Sequence, residues 1–374
     1  IAVAIAESDN KLKKKQGSFM GTLYEQLREK LDQLSVGFPQ TESGVELRLL
    51  KKMCDQEDAE LFLEMDMMIQ KPSTIAKKTG RDLEETTALL EKMADKGLIF
   101  RLRRGERAMY AASAFVVGSF EYQLKTMDRE LAELIEQYFT EGFLKKGIAG
   151  SISPLRTIPV HQSIETSMNV ASHSDAREIL KSTGKIALAD CICRHQQALI
   201  GKECDKPLEV CFVFGSHAQY YVDNGMARFI PLDEALNVLD RCEEEGLVVQ
   251  PASSVNPGGM CNCCQDCCGI LRALNLMPKP AELVFNDYWA VVDENECTGC
   301  EECQERCQIS AIDFNENEIA IVNADRCIGC GLCVTTCPAE AIKLELKPED
   351  KKNPVFKSNR DLMNATLEAR GLKE

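Results

Sequence analysis

Hydrophobic positions recur at helical spacing through the first 140 residues. Residues 22–35 (TLYEQLREKLDQLS) carry an apolar stripe at three- and four-residue intervals, and Gly37-Phe38-Pro39 breaks it. Over residues 45–64 the spacing of Leu47, Leu49, Leu50, Met53, Leu61 and Leu63 predicts further helix, with Cys54 inside it as a small core residue. Pro72-Ser73-Thr74 opens a short helix that ends near Gly80; Asp82 then caps a longer helix running to Lys96, where Gly97 stops it. Residues 98–103 and 108–111 read as a hairpin around Arg104-Gly105-Glu106. A helix is expected over 122–139, then irregular chain over 142–159. Residues 230–249 (IPLDEALNVLDRCEEEGLVV) read as a capped helix followed by a strand, with Cys242 packed in a core. Near the C-terminus, residues 311–314 and 319–322 alternate around residues 315–318 as a second hairpin, and 341–344 repeat the pattern of its first strand.

Residues 72–113 resemble a winged helix-turn-helix, a fold class that often reads DNA. Its second helix, over 82–96, would face phosphates, yet it holds the acids Asp82, Glu84, Glu85, Glu91 and Asp95 against Lys92 and Lys96. Acids there are repelled by a duplex. Arg101, Arg103, Arg104 and Arg107 on the hairpin are the one feature favouring DNA. The apolar positions Leu83, Leu89, Leu90 and Met93 can serve the domain's own core and leave the acidic face free, so a docking or dimerising role is expected in place of DNA binding.

The length of 374 residues implies two or three domains, and 44% hydrophobic with 28% charged residues is an ordinary globular composition. The net charge of −15 argues against a protein built around nucleic acid. Sixteen of the 19 cysteines follow residue 200. A secreted disulfide scaffold does not fit a chain of this size with an odd cysteine number and no leader-like start. Residues 1–6 are apolar, but the run is short and Lys11, Lys13, Lys14 and Lys15 follow it. No apolar run approaches the eighteen or so residues of a spanning helix. A cytoplasmic protein whose thiols ligate metal is the expectation, with residues 1–19 as a tail before Met20-Gly21.

Two cysteine runs carry the clearest chemistry: Cys297, Cys300, Cys303 and Cys307, then Cys327, Cys330, Cys333 and Cys337-Pro338. Both show C-x2-C-x2-C-x3-C spacing, in which one loop wraps a cluster corner and aims its N–H groups at cluster sulfur. Eight cysteines in two matching runs, the second ending in Cys-Pro, are too regular for zinc pairs. The runs resemble bacterial two-cluster ferredoxins. That resemblance implies two [4Fe–4S] clusters with crossed ligands: Cys297, Cys300, Cys303 and Cys337 for one, and Cys327, Cys330, Cys333 and Cys307 for the other. Gly299 and Gly329 suit the tight turns. Gln308 stands where the family has proline.

A second group of nine cysteines reads Cys191-Ile-Cys193-Arg194-His195, Cys204, Cys211, and then Cys261-Asn-Cys263-Cys264-Gln-Asp-Cys267-Cys268. The C-x-C-R and C-N-C-C motifs ahead of a dicluster ferredoxin resemble a group of multi-domain iron–sulfur proteins from anaerobes, over residues 155–345. Four thiolates suffice for one further cluster, and nine could serve two. Cys191, Cys193, Cys204 and Cys211 are the first choice for one set; mixed sets, zinc and a reversible dithiol remain alternatives. Arg194 reads as a fixed positive charge beside an anionic cluster. His195 could ligate iron or move a proton, though packing is the commoner role, and His217 reads as structural. No phosphate loop, dinucleotide fingerprint or nucleophile elbow occurs.

The expected fold class is α+β and multi-domain. The divisions are an N-terminal tail and helix (1–44), a winged-helix domain (45–140), a cysteine-rich α/β domain (141–285), a dicluster ferredoxin fold (286–346) and a charged tail (347–374). The expected function is single-electron transfer through the two [4Fe–4S] clusters, to or from one or two further clusters in the middle domain. The expected associations are a redox partner protein and a homodimer through the winged-helix domain. The alternatives are a reductase with its substrate at the middle cysteines, or a redox-sensing transcriptional regulator.

Overall fold

The computed structural model describes residues 21–147, 152–163, 172–348, 352 and 355–372. Five helices open it: α1 (Leu23–Asp32), α2 (Val45–Met53), α3 (Gln56–Glu64), α4 (Pro72–Thr79) and α5 (Leu83–Asp95). The expected helix over 45–64 is split. Asp55 is extended and its carboxylate accepts from the Asp58 N–H, so it caps α3 and ends α2 at the extended Cys54. Cys54 is buried at this junction rather than within a helix, and burial pushes its thiol up to about 12.

Gly80, with φ of +69°, ends α4, and Asp82 caps α5 by accepting from the N–H groups of Glu84 and Glu85. Leu89, Leu90 and Met93 are buried as expected, but Leu83 is 50% exposed, because it sits on the outward side of the first turn. β1 (Ile99–Arg104) and β2 (Arg107–Ala112) form an antiparallel hairpin. Two of the five acids of the α5 face are engaged, while Asp82, Glu84 and Glu85 stay exposed. Glu91 and Asp95 bind the buried Arg101 at 2.6 and 2.7 Å; Glu91 also takes Arg103 and the Tyr110 hydroxyl. Lys92 and Lys96 reach Asp55 and Asp58 on α3.

α6 (Arg129–Tyr138) is shorter than the helix expected over 122–139, because residues 121–123 form a 3-10 turn and Asp128 supplies a new N-cap to Leu131. Residues 139–147 continue as a π-helical segment, so residues 142–147, expected to be irregular, are helical. The next elements are α7 (Ala176–Ser182), β3 (Ile186–Asp190), α8 (Ile192–Leu199), β4 (Glu209–Phe214), α9 (Gly215–Asp223), β5 (Ala227–Phe229), α10 (Leu232–Glu244), β6 (Val248–Pro251), β7 (Gly259–Cys263) and α11 (Gly269–Leu276). Their sheet has the order β5-β3-β4-β7-β6, and every neighbouring pair is antiparallel. The helices between strands therefore do not make the parallel crossovers of an α/β domain, and this correction places the middle region with α+β architecture. Cys242 is fully buried on α10 as expected, its thiol pushed up to about 12 by burial.

The last elements are β8 (Tyr288–Val292), α12 (Glu302–Arg306), β9 (Ile312–Phe314), β10 (Ala320–Val322), α13 (Leu332–Thr335), β11 (Ile342–Leu346) and α14 (Asn359–Ala369). Two ribbons, β9–β10 and β8–β11, enclose the cysteine runs. The charged C-terminal stretch holds a capped helix, and Arg370 beyond it binds Asp32 and the Ser35 carbonyl near α1.

The regions interlock. Phe38, Phe115, Phe120, Tyr138 and Phe139 pack edge to face around α6, and Phe143 stacks on Phe139. α9 packs on the hairpin, with the Tyr220 hydroxyl donating to the carbonyls of Ala94 and Ile99 and His217 stacked on Phe100 at 4.6 Å. That contact gives His217 its structural role. Among the described residues no helix is long and apolar enough to cross a membrane.

Candidate metal centres

The two cysteine runs fold as near repeats. Each begins in a loop, where Gly299 and Gly329 take φ of +68° and +66°. A Cβ on Gly329 would lie 2.4 Å from the Tyr288 carbonyl oxygen. Each run then closes with a short helix, α12 or α13. Cys297, Cys300, Cys303 and Cys337 line one cavity with Phe314, Ala320, Ala341 and Ile342. Cys307 lies beside Cys327, Cys330 and Cys333: burial first, and then these neighbouring sulfurs, push the Cys330 thiol up to about 12 and raise Cys333 well above the ordinary thiol value. Backbone N–H groups donate to sulfur in matched pairs, Ala311 to Cys307 and Ala341 to Cys337, Ala320 to Cys297 and Ala290 to Cys327, at 3.2–3.5 Å. Soft thiols around an enclosed space, with N–H donors already aimed at sulfur, are a donor set that fits iron–sulfur clusters.

The sheet gathers the middle cysteines. Cys211 on β4 faces β7, which carries Cys261 and Cys263. Cys191 occupies the N-cap position of α8 and Cys268 that of α11, where the backbone N–H groups of Arg194 and Leu271 help to lower their pKa values. Thiol contacts close a ring that runs Cys191, Cys193, Cys268, Cys263, Cys261, Cys211 and back to Cys191. Hydrogen bonds from their ring neighbours hold Cys191 and Cys268 well below the ordinary thiol range and bring Cys261 to about 5. Coupling to the same neighbours, with burial, drives Cys193, Cys211 and Cys263 up. The helix N-termini stabilise the two capping thiolates further.

The other three cysteines stand apart. Cys204, from the loop between α8 and β4, meets Cys264 at 3.8 Å and Cys267 at 3.5 Å between sulfurs. Among the described residues this is the group of three whose ligand atoms all lie within 4.8 Å of one another. The set Cys191, Cys193, Cys204 and Cys211 is therefore not brought together: the sheet pairs Cys211 with the second cysteine group, and the 201–208 loop carries Cys204 away to the turn after β7.

Arg194 lies between the two constellations. Its guanidinium donates to the Pro207 and Asn262 carbonyls at 3.0 and 3.1 Å. Burial works against its charge, but thiolates led by Cys191 and Cys264 outweigh this and raise its pKa. His195 is half-buried beside Asp190. Asn262, between Cys261 and Cys263, is fully buried and ties β7 to the Val210 carbonyl.

Two further residues at the site had no clear sequence signal. Glu121 comes from a segment far earlier in the chain. Burial lifts its carboxyl to about 8, with Cys261 and Cys268 adding to the effect, while the Gly118 N–H donates to it. Gln308, noticed only as a missing proline, is buried, and its Oε1 accepts the N–H of Gln265, between Cys264 and Cys267, at 2.9 Å. Its carbonyl accepts from Asn275 on α11. The residue after Cys307 is thus bonded to the turn that carries two middle cysteines. Val160 binds the Cys330 carbonyl, and Arg326 binds the carbonyls of Ile309 and Met277, adding to the same junction.

No curated protein and no solved structure matches this chain. Residues 290–344 match the family model of the 4Fe-4S dicluster domain, so this C-terminal stretch is a ferredoxin-type iron–sulfur domain within a longer chain of mixed helix and sheet.

Proposed function

We propose that this chain is an iron–sulfur electron-transfer protein, or the subunit of a redox complex, that moves single electrons between a partner protein and its own middle cysteines. The observation that carries the reading is the Gln308–Gln265 hydrogen bond, which joins the residue after Cys307 to the Cys264–Cys267 turn. The crossed sets Cys297, Cys300, Cys303, Cys337 and Cys327, Cys330, Cys333, Cys307 would each hold one [4Fe–4S] cluster, and four of the six ring cysteines would suffice for another. Bound clusters of this kind supply one-electron chemistry. The protein's part is to bury the sulfurs, donate N–H groups to them and fix the junction between the two regions.

The helix–helix–hairpin of residues 72–112 serves, in this reading, as a winged-helix module for docking a partner or a second copy, not DNA. Its buried Arg101 and its Arg103 are already paired to α5 acids, so of the four hairpin arginines only the exposed Arg104 and Arg107 lie outside these pairs. A cytoplasmic location goes with this role. The division of the chain at residues 44, 140, 285 and 346 belongs to the same proposal.

Iron analysis and EPR of anaerobically purified protein test it. More than eight iron atoms per chain are expected. Cys300→Ser and Cys330→Ser should each remove or alter one cluster while the other survives, because serine replaces a soft thiolate with a poorer ligand. Parental iron content and spectra in both variants would refute the ligand assignment.

A further inference from the structure

We infer that Cys204, Cys264 and Cys267 form a mononuclear site for a tetrahedral divalent ion of the zinc class, separate from every iron–sulfur cluster of the chain and with a fourth position left for an exogenous ligand. The spacing of the sulfurs is the first argument. Tetrahedral coordination at the usual zinc–sulfur distance of about 2.3 Å puts sulfurs about 3.8 Å apart. The triad shows 3.5 and 3.8 Å, with all three atoms inside 4.8 Å. A cubane does the opposite: each thiolate binds a different iron, which spreads the sulfurs over the outside of the cluster. Three sulfurs already converged on one point suit one ion.

Local chain geometry supports the same assignment. Cys264-Gln265-Asp266-Cys267 is a C-x2-C turn, closed by the Cys268 N–H donating to the Cys264 carbonyl at 3.1 Å. Such a turn presents two sulfurs on one side, as zinc knuckles do. The third comes from the loop between α8 and β4. Gly201, Lys202, Glu203 and Asp205 in that loop are exposed and Cys204 is half-buried, while Cys264 and Cys267 are buried, so ligand exchange has a route past this loop. Three thiolates and a divalent ion leave one net negative charge. Arg194, buried beside Cys264, offsets it. Three protein ligands with an open fourth position is the coordination of catalytic rather than structural zinc. Because Gln308 bonds the N–H between two of the ligands, a molecule bound here would sit on a turn fastened to the ferredoxin-type domain.

The test uses the full chain, purified anaerobically with its clusters in place, cleared of loosely held divalent metal by mild chelation, and titrated with Co2+ alone. One Co2+ per chain is expected, with the intense ligand-field bands of tetrahedral thiolate coordination and a shift of those bands on adding imidazole. Cys264→Ser and Cys204→Ser should abolish the bands while iron content and cluster EPR stay parental, which also shows that the variants fold. Cobalt binding that survives both substitutions, or an octahedral spectrum, would overturn the site. Loss of iron in Cys204→Ser would overturn it too, by making the triad cluster ligands. Bands indifferent to imidazole would overturn the open position. Iron content reports on the cluster reading and the cobalt spectrum on the triad, so the two can fail separately.

Discussion

Glu136→Gln should loosen the two helices that begin at the cysteine ring. Glu136 lies on α6, and its carboxylate accepts from Arg272 of α11 at 2.8 and 2.9 Å, from Gln197 of α8 at 2.7 Å and from Lys202 at 3.2 Å. Cys191 and Cys193 lie at the start of α8, and Cys268 caps α11, so one carboxylate holds both ligand-bearing helices against α6. Burial alone would raise its pKa. The bonds from Arg272 and Gln197 outweigh burial and hold it below the ordinary glutamate value. The side chains are 13% and 19% exposed, so screening is partial. An amide turns an NH2 toward one donor and leaves the guanidinium without its counter-charge. Hydrogen bonds to charged groups are each worth about 1.5–3 kcal/mol, and a net loss of about 2–3 kcal/mol follows after allowance for exposure.

That loss corresponds to a fall of about 30- to 150-fold in amide-exchange protection, because each 1.4 kcal/mol is tenfold. The assay is hydrogen exchange by mass spectrometry on the full chain, read on α8 and α11 and compared with β9–β10. An Arg272→Met partner completes a double-mutant cycle, in which a coupling of about 2 kcal/mol is expected. Protection in α8 and α11 unchanged within about threefold, or an equal fall in β9–β10, would refute the reasoning. The pH dependence has a definite sign. A depressed folded pKa means the contribution is complete above about 4.5 and is lost as pH falls through the lower folded value, so parental and Glu136→Gln protections should converge in acid and diverge above that point.

Gly329→Ala should deplete the cluster assigned to Cys327, Cys330 and Cys333, since its Cβ would lie 2.4 Å from the Tyr288 carbonyl at a φ of +66°; full parental iron content would contradict this. Fluorescence anisotropy of pooled duplex DNA titrated with the full chain at moderate salt should show no salt-sensitive, sequence-selective binding, because Glu91 and Asp95 pair with Arg101 and Arg103, two of the four hairpin arginines. Nanomolar, salt-dependent binding would promote the regulator reading.

Much of the local structure was legible in the chain itself. Gly80, Asp82 and Gly97 punctuate α4 and α5 where the sequence puts them, because caps and positive-φ stops act within one turn. The ferredoxin-type domain was legible for a similar reason: its ligand spacing is set by loops of two or three residues. Where a second local signal competed, the reading slipped, as at Asp55, whose capping side chain splits one helix into two.

The partition of the nine middle cysteines could not be read this way. Cys204 is nearer in sequence to Cys193 and Cys211, yet it joins Cys264 and Cys267, because the antiparallel β4–β7 pairing draws Cys211 to Cys261 and leaves the preceding loop to cross to the next turn. Glu121 and Gln308 reach the site from about 140 residues before and about 40 residues after the cysteines they approach. The sequence by itself determined which residues could ligate metal and where short loops fix their spacing. Which sulfurs share a site, and what charge and hydrogen bonds surround them, was decided by strand register and helix packing, which bring together groups that no local period relates.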